Sequence, residues 1–181
     1  FAGLIVSLGA LGIVTRVTLD IVPTFDVRQD VYLDLPFDEL YANFDAIQAS
    51  GYSVSLFTHW GEVISQTWVK SVVDDTPFTL GDTFFGAKRS TVPCSPVGDD
   101  RTAHCTEQLG IRGAWYDRLP HFRMEFTPSH GDELQSEYFV PREIAIEAIQ
   151  AVNELHEEIT PLLRVTEIRT IKDDDLWLSP A

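Results

Sequence analysis

The 181-residue chain reads as an α+β protein: an antiparallel or mixed sheet with helices on one face, of the split βαβ kind. Three observations predict this. Period-two runs rich in β-branched and aromatic residues recur along the chain, two stretches with helical spacing interrupt them, and a short break at Gly61 joins two of the runs as a hairpin. In order, the middle of the chain gives strand, helix, strand, strand, then strand, strand, helix, strand.

The opening "GLIVSLGALGIVTRVTLDIVP" alternates through Val14, Val17, Leu19 and Ile21, which predicts a strand from about 12 to 22 ending at Pro23. Gly9 and Gly12 precede it, where glycine permits positive φ or close backbone approach. "VRQDVYLDLP" alternates through Val27, Gln29, Val31, Leu33 and Leu35 and predicts a second strand. Pro36 then opens a helix with Phe37, Leu40, Tyr41, Phe44 and Ile47 at helical spacing, ending before Gly51. "YSVSLFTHW" and "EVISQTWVKSV" flank Gly61 as a β-hairpin. Residues 71 to 120 hold many of the Pro and Gly residues without a sustained period, which marks a long loop that is functional or partly disordered in isolation. "HFRMEFTP" predicts a strand with Phe122, Met124 and Phe126 inward, and "ELQSEYFVP" another. "PREIAIEAIQAVNELHEEIT" predicts a helix whose apolar face carries Ile144, Ala148, Ile149, Val152, Leu155 and Ile159, bounded by Pro161. The strand "RVTEIRTI" follows.

Composition narrows the function. A 44 % hydrophobic content argues against disorder, so the chain should build a core. With 28 acidic against 13 basic residues, the net charge of −15 repels nucleic acid and anionic membrane and leaves no basic patch to follow a phosphate backbone. The apolar run "FAGLIVSLGALGIV" is too short and too interrupted by Gly to span a membrane, and it lacks the basic start of a secretion signal. Cys94 and Cys105, with His104 beside the latter, fit neither a disulfide framework nor a zinc pattern, so no metal site is expected and cytoplasm is the default compartment. Phe1 inside an apolar run and the ending "LWLSPA" suggest a piece of something longer.

Within "RVTEIRTI", period-two alternation puts Val165, Glu167, Arg169 and Ile171 on one face. A carboxylate and a guanidinium are thereby fixed side by side. They read either as an ion pair on a sheet surface, which contributes little to stability, or as a clamp for a polyol in a cleft. Glu137, Arg123 and Glu125 are possible supporting partners for Arg169, or plain ion pairs between strands. Capping or core roles are favoured for the scattered histidines, of which His121 is closest to a predicted strand. Trp60, Trp68, Trp115 and Trp177 read as packing anchors, and "KDDD" at 172 to 175 as a solvated helix start.

Four pieces together carry a resemblance: "SLGALGIVTRVTLDIVPTFDVRQ", "YSVSLFTHW", "CTEQLGIRGAWYDRLPHFRMEFTPSHGDELQSEYFVPRE" and "TEIRTIKDDDLWLSPA". The chain resembles the alditol (xylitol) oxidases within the vanillyl-alcohol oxidase superfamily of FAD enzymes, over almost its whole length. "LGALGIVT" alone indicates only the superfamily; the long middle stretch and "EIRT" point to the alditol branch.

The resemblance implies a two-domain flavoenzyme that oxidises the terminal CH–OH of a polyol such as xylitol or sorbitol to an aldose, with oxygen reduced to hydrogen peroxide. Residues 1–24 would be closing strands of the FAD-binding domain and residues 25–181 the substrate (cap) domain, truncated at its C-terminal end. It implies backbone contacts to the adenine end of FAD at Val14, with Ile13 as neighbour, although sheet-core side chains would look the same there. Glu167 and Arg169 match the family's Glu-x-Arg strand as substrate-binding and catalytic residues. A carboxylate accepts from vicinal hydroxyls and a guanidinium donates in a rigid plane, and Arg169 would stabilise charge on the reacting oxygen.

The phosphate-binding loop with the histidine that carries covalent FAD, a pocket serine, and a His, a Thr and a base-like Lys lie outside this chain, so the piece alone is expected to be inactive. Two rivals stand beside this reading: an aldonolactone (gulonolactone-type) oxidase, and a non-catalytic carbohydrate-binding domain. Oligomeric state is not legible.

Overall fold

The structure, a computed structural model, describes residues 2–74, 78, 80–126 and 133–180. It divides into two compact units, Thr24–Arg169 and Phe1–Pro23 with Thr170–Ala181.

The larger unit is built on an antiparallel sheet. Strand β1 (Asp26–Pro36) leads into α1 (Phe37–Gln48), and the hairpin β2 (Ser53–Thr58) and β3 (Val63–Val73) follows. Short strands β4 (Thr83–Phe84), β5 (Ala87–Arg89) and β6 (Gly113–Ala114) lie in the expected loop, with the single-turn α2 (Trp115–Arg118). Helices α3 (Ala145–Asn153) and α4 (His156–Ile159) precede β7 (Thr166–Ile168). The sheet order is β4-β5-β1-β3-β2-β7, with β6 beside the start of β1. Every strand pair is antiparallel, which decides between the antiparallel and mixed alternatives for the described residues.

The two sheet faces bury different material. Leu40, Phe44 and Ile47 of α1 and Ala145 and Ile149 of α3 pack on Val54 and Leu56 of β2 and Ile64 of β3. Alternation sends Phe57, Trp68 and Val31 to the opposite face, where Cys94, Cys105 and Phe122 cover them. Because β1 and β3 are covered on both faces, they read as nearly continuous buried runs. In β1 the alternation breaks at Asp34. Asp34 takes φ +60, so Leu33 packs on the second cluster while Leu35, two positions on, packs on the first. Gly51 admits the tight α1–β2 connection, since a Cβ there would stand 2.8 Å from the Lys70 carbonyl oxygen. The buried Asp30 carboxylate is compensated by Arg28 at 2.8 Å and Arg89 at 2.6 Å.

Several expectations are corrected. The strand expected at 12 to 22 is not formed: these residues are exposed and join no ladder among the described residues. Alternating apolar residues cannot make a strand without a neighbouring strand to take the main-chain hydrogen bonds. "HFRMEFTP" supplies one bridge, Phe122 to Cys105, and Met124 is 91 % exposed; Thr127 and Pro128 lie outside the described residues. Residues 133–141 are irregular, with Leu134 and Tyr138 exposed. The single helix expected from 141 to 160 is cut at Glu154 and Leu155 into α3 and α4, and Val152 and Leu155 are exposed although assigned to its inner face. Trp68 is fully buried, Trp60 packs against the first cluster and Trp115 stacks on Phe25, but Trp177 is 80 % exposed, so only part of the tryptophan set anchors packing. In the smaller unit "KDDD" starts no helix; Asp174 accepts bonds from the Leu176 N–H and the Ser179 hydroxyl and caps a turn.

Candidate functional site

The second face of the sheet carries a polar cluster among its aromatic residues. Ser53 lies opposite Lys70 and Ser55 opposite Trp68 in the β2–β3 register, and Phe57 lies opposite Glu167 in the β2–β7 register. Alternation turns Ser55, Phe57, Trp68, Lys70 and Glu167 toward one side. Across them runs the segment containing His121, held by the Thr106 N–H on the His121 carbonyl (3.0 Å) and the Thr106 hydroxyl on the Pro120 carbonyl (2.7 Å). The imidazole stands edge-on to Phe57 and Trp68, each 5.4 Å away between centroids.

Lys70 is buried to 1 % exposure. Its Nζ donates to the Leu119 carbonyl at 2.6 Å and the Pro120 carbonyl at 3.0 Å, and lies 3.2 Å from Nδ1 of His121. An ammonium has three donors and no acceptor, and three acceptors surround this one. Burial lowers the Lys70 pKa to about 7, against the opposing pull of Glu167 and Cys105. While Lys70 holds its third proton, Nδ1 of His121 must accept, so the imidazole proton is on Nε2. That Nε2 lies 2.9 Å from Oε1 of Glu167 and 3.3 Å from the Ser55 hydroxyl.

Burial also pushes the His121 pKa down, more than the hydrogen bond to Glu167 raises it. The His121–Glu167 contact is therefore a hydrogen bond from a neutral ring. Burial tends to raise the Glu167 pKa, but the His121 hydrogen bond, with Ser55 and Arg169, outweighs it and holds the carboxyl below its usual range. Glu167 is an ionised, well-supported acceptor.

The other sequence-predicted residues fall out as follows. Arg169, just past β7, places Nε 3.4 Å from Oε1 of Glu167, so the two heads share a side of the sheet as alternation predicts. The arginine is half exposed and also reaches Glu137 at 4.0 Å. Of the three possible supporters of Arg169, Glu137 alone contacts it; Arg123 pairs with Glu107 and bonds the Cys105 carbonyl, and Glu125 is exposed. Two surface depressions, one beside Tyr41 and Asn153 and one beside His59 and Arg164, do not include the Glu167–Arg169 pair. Ile13 and Val14 are exposed and lie outside regular secondary structure. Cys94 and Cys105 are both buried, the latter with its pKa raised by burial, and His104 stacks on Phe126.

The sequence singles out Glu167 and Arg169, gives no reading of Lys70 and a capping or core role to His121, whereas the structure brings Lys70, His121 and Glu167 into one hydrogen-bonded line. A signal for Lys70 was present: it shares its strand face with Gln66 and Trp68, and an inward lysine is rare unless paired. Nothing local marks His121, whose partners lie 46 and 51 residues away in the chain.

No protein-family profile matches the chain. Over 182 aligned residues, covering its whole length, it is 46 % identical to an alditol oxidase of Streptomyces sp. (strain IKD472 / FERM P-14339). The chain spans 42 % of that relative's length. The match takes in the whole chain, including the strands that carry Lys70 and Glu167 and the segment that carries His121, so the chain is similar along its full length to one part of an alditol oxidase.

Proposed function

We propose that this chain is the substrate-domain part of an FAD-dependent oxidase that converts the terminal CH–OH of a xylitol- or sorbitol-type polyol to an aldose, with oxygen reduced to hydrogen peroxide. The observation that carries this reading is the 46 % identity to an alditol oxidase along the whole chain. In it, residues 1–24 close an FAD-binding domain and residues 25–181 form the substrate domain. The main chain at Ile13 and Val14, in no ladder among the described residues, has N–H and C=O groups to offer an adenine. FAD, when bound, would supply the acceptor for the hydride that leaves the carbinol carbon.

The chain's own residues bind and orient. Glu167, kept ionised by the His121 N–H, accepts a hydrogen bond from a substrate hydroxyl. Arg169 donates from a half-exposed position whose guanidinium can swing between Glu137, Glu167 and a polyol oxygen. As the carbinol oxygen loses its proton, that guanidinium stabilises the growing negative charge, a contribution of about 3 kcal/mol for one well-placed donor.

The test is anaerobic addition of xylitol to the full-length protein, followed by its flavin absorbance. Bleaching that reverses in air with release of peroxide is expected, and Glu167→Gln should slow the bleaching at least tenfold at unchanged flavin content. Bleaching by gulonolactone but not by xylitol would reassign the enzyme to the aldonolactone oxidases; absence of flavin would leave a carbohydrate-binding module.

A further inference from the structure

Lys70 and Glu167 stand on strands that do not touch: β2 separates β3 from β7. His121 spans that gap, with Nδ1 on the lysine, Nε2 on the carboxylate and Ser55 of β2 beneath. Glu167 needs such help. It sits on a three-residue edge strand with one neighbour, and its side chain has freedom that the main chain does not restrain.

We propose that Lys70 and His121 are positioning residues for Glu167: the ammonium, seated on the Leu119 and Pro120 carbonyls, holds the imidazole in its Nε2–H tautomer, and that N–H holds the carboxylate in the orientation from which it accepts a substrate hydroxyl. The chain of donors runs one way. Lys70 donates to two main-chain oxygens and to Nδ1, leaving the imidazole one proton, which points at Glu167. His121 and Arg169 both approach Oε1, so Oε2 keeps capacity to accept from a polyol. The charged and titratable groups around the imidazole are Lys70 from β3, Glu167 from β7 and Arg169 just past it, while Cys105 acts on Lys70. The substrate part of this proposal rests on the function proposed above; the tautomer and its source do not.

Two measurements on the full-length protein test it. The first is the 15N spectrum of histidine-labelled protein, with His121 assigned by its loss in His121→Gln, recorded on the acid side of the Lys70 titration. A pyridine-type Nδ1 and a pyrrole-type Nε2 are expected; the opposite tautomer, or an imidazolium, overturns the proposal. The second compares KM for xylitol in His121→Phe and His121→Gln. Losing a hydrogen bond to a charged group should raise KM about tenfold in the Phe variant with kcat changed less, and Gln, which keeps a donor, should restore KM to within about threefold. Equal KM in wild type and the Phe variant, or a Phe-type defect unrelieved by Gln, overturns it. If xylitol does not reduce the wild-type flavin, the functional reading falls, and the tautomer measurement alone judges the Lys70–His121 relation.

Discussion

Lys70 carries an ammonium into a place with almost no water, and the consequence is a pH dependence of known sign. Its pKa falls from 10.5 in the unfolded chain to about 7 in the folded one. Between those values the unfolded chain binds more protons, so stability rises as pH rises from about 7 toward 10, and the cost of burying the charge is fully present below 7. Lys70→Met should flatten this rise, a difference on the order of a few kcal/mol in urea unfolding free energies measured across that range. Parallel curves for the two proteins would show that Lys70 does not titrate in this window. His121 and Glu167, both lowered, add stability that is lost toward acid pH. The Glu167–Arg169 adjacency was legible because it depends only on period two within one strand. The Lys70–His121 link was not, because it joins a strand to an irregular segment, and no local periodicity encodes where such a segment lands.

At the scale of elements, β1, α1 and the β2–β3 hairpin were legible within a residue or two, since apolar period, Pro36 and the Gly61 break all agree with the fold. The failures share one cause. "GIVTRVTLDIV" and "HFRMEF" have the residues of strands but no ladder partner along their length among the described residues, and β-propensity measures fit to a neighbour rather than a backbone preference. Asp34 illustrates the limit in reverse. From its sequence position a valine would suit a strand better, yet its φ of +60 is a conformation that β-branched residues adopt at a cost of about 1–2 kcal/mol. Asp34→Val should therefore destabilise by about that much in chemical denaturation, and Asp34→Gly should not. Equal stability of the two variants would mean that β1 can regularise its alternation and carry Leu33 and Leu35 on one face.

For the whole molecule, a net charge of −15 means that folding gathers like charges, while several ion pairs, such as Arg142–Asp45 and Arg164–Glu133, have exposed arginines and contribute little each. Screening should relieve that repulsion: the thermal midpoint is expected to rise by a few degrees as salt goes from about 0.01 M to about 0.15 M, where the Debye length shrinks from about 30 Å to about 8 Å. A fall would show that attractive surface pairs dominate instead. The chain's sulfur atoms are distributed with a similar asymmetry. Both cysteines are buried, and Cys105 is kept as the unreactive thiol, whereas the one methionine, Met124, stands almost fully in solvent. Exposure to peroxide should therefore mark this chain first as a sulfoxide at Met124, on an irregular surface segment, before either buried thiol reacts.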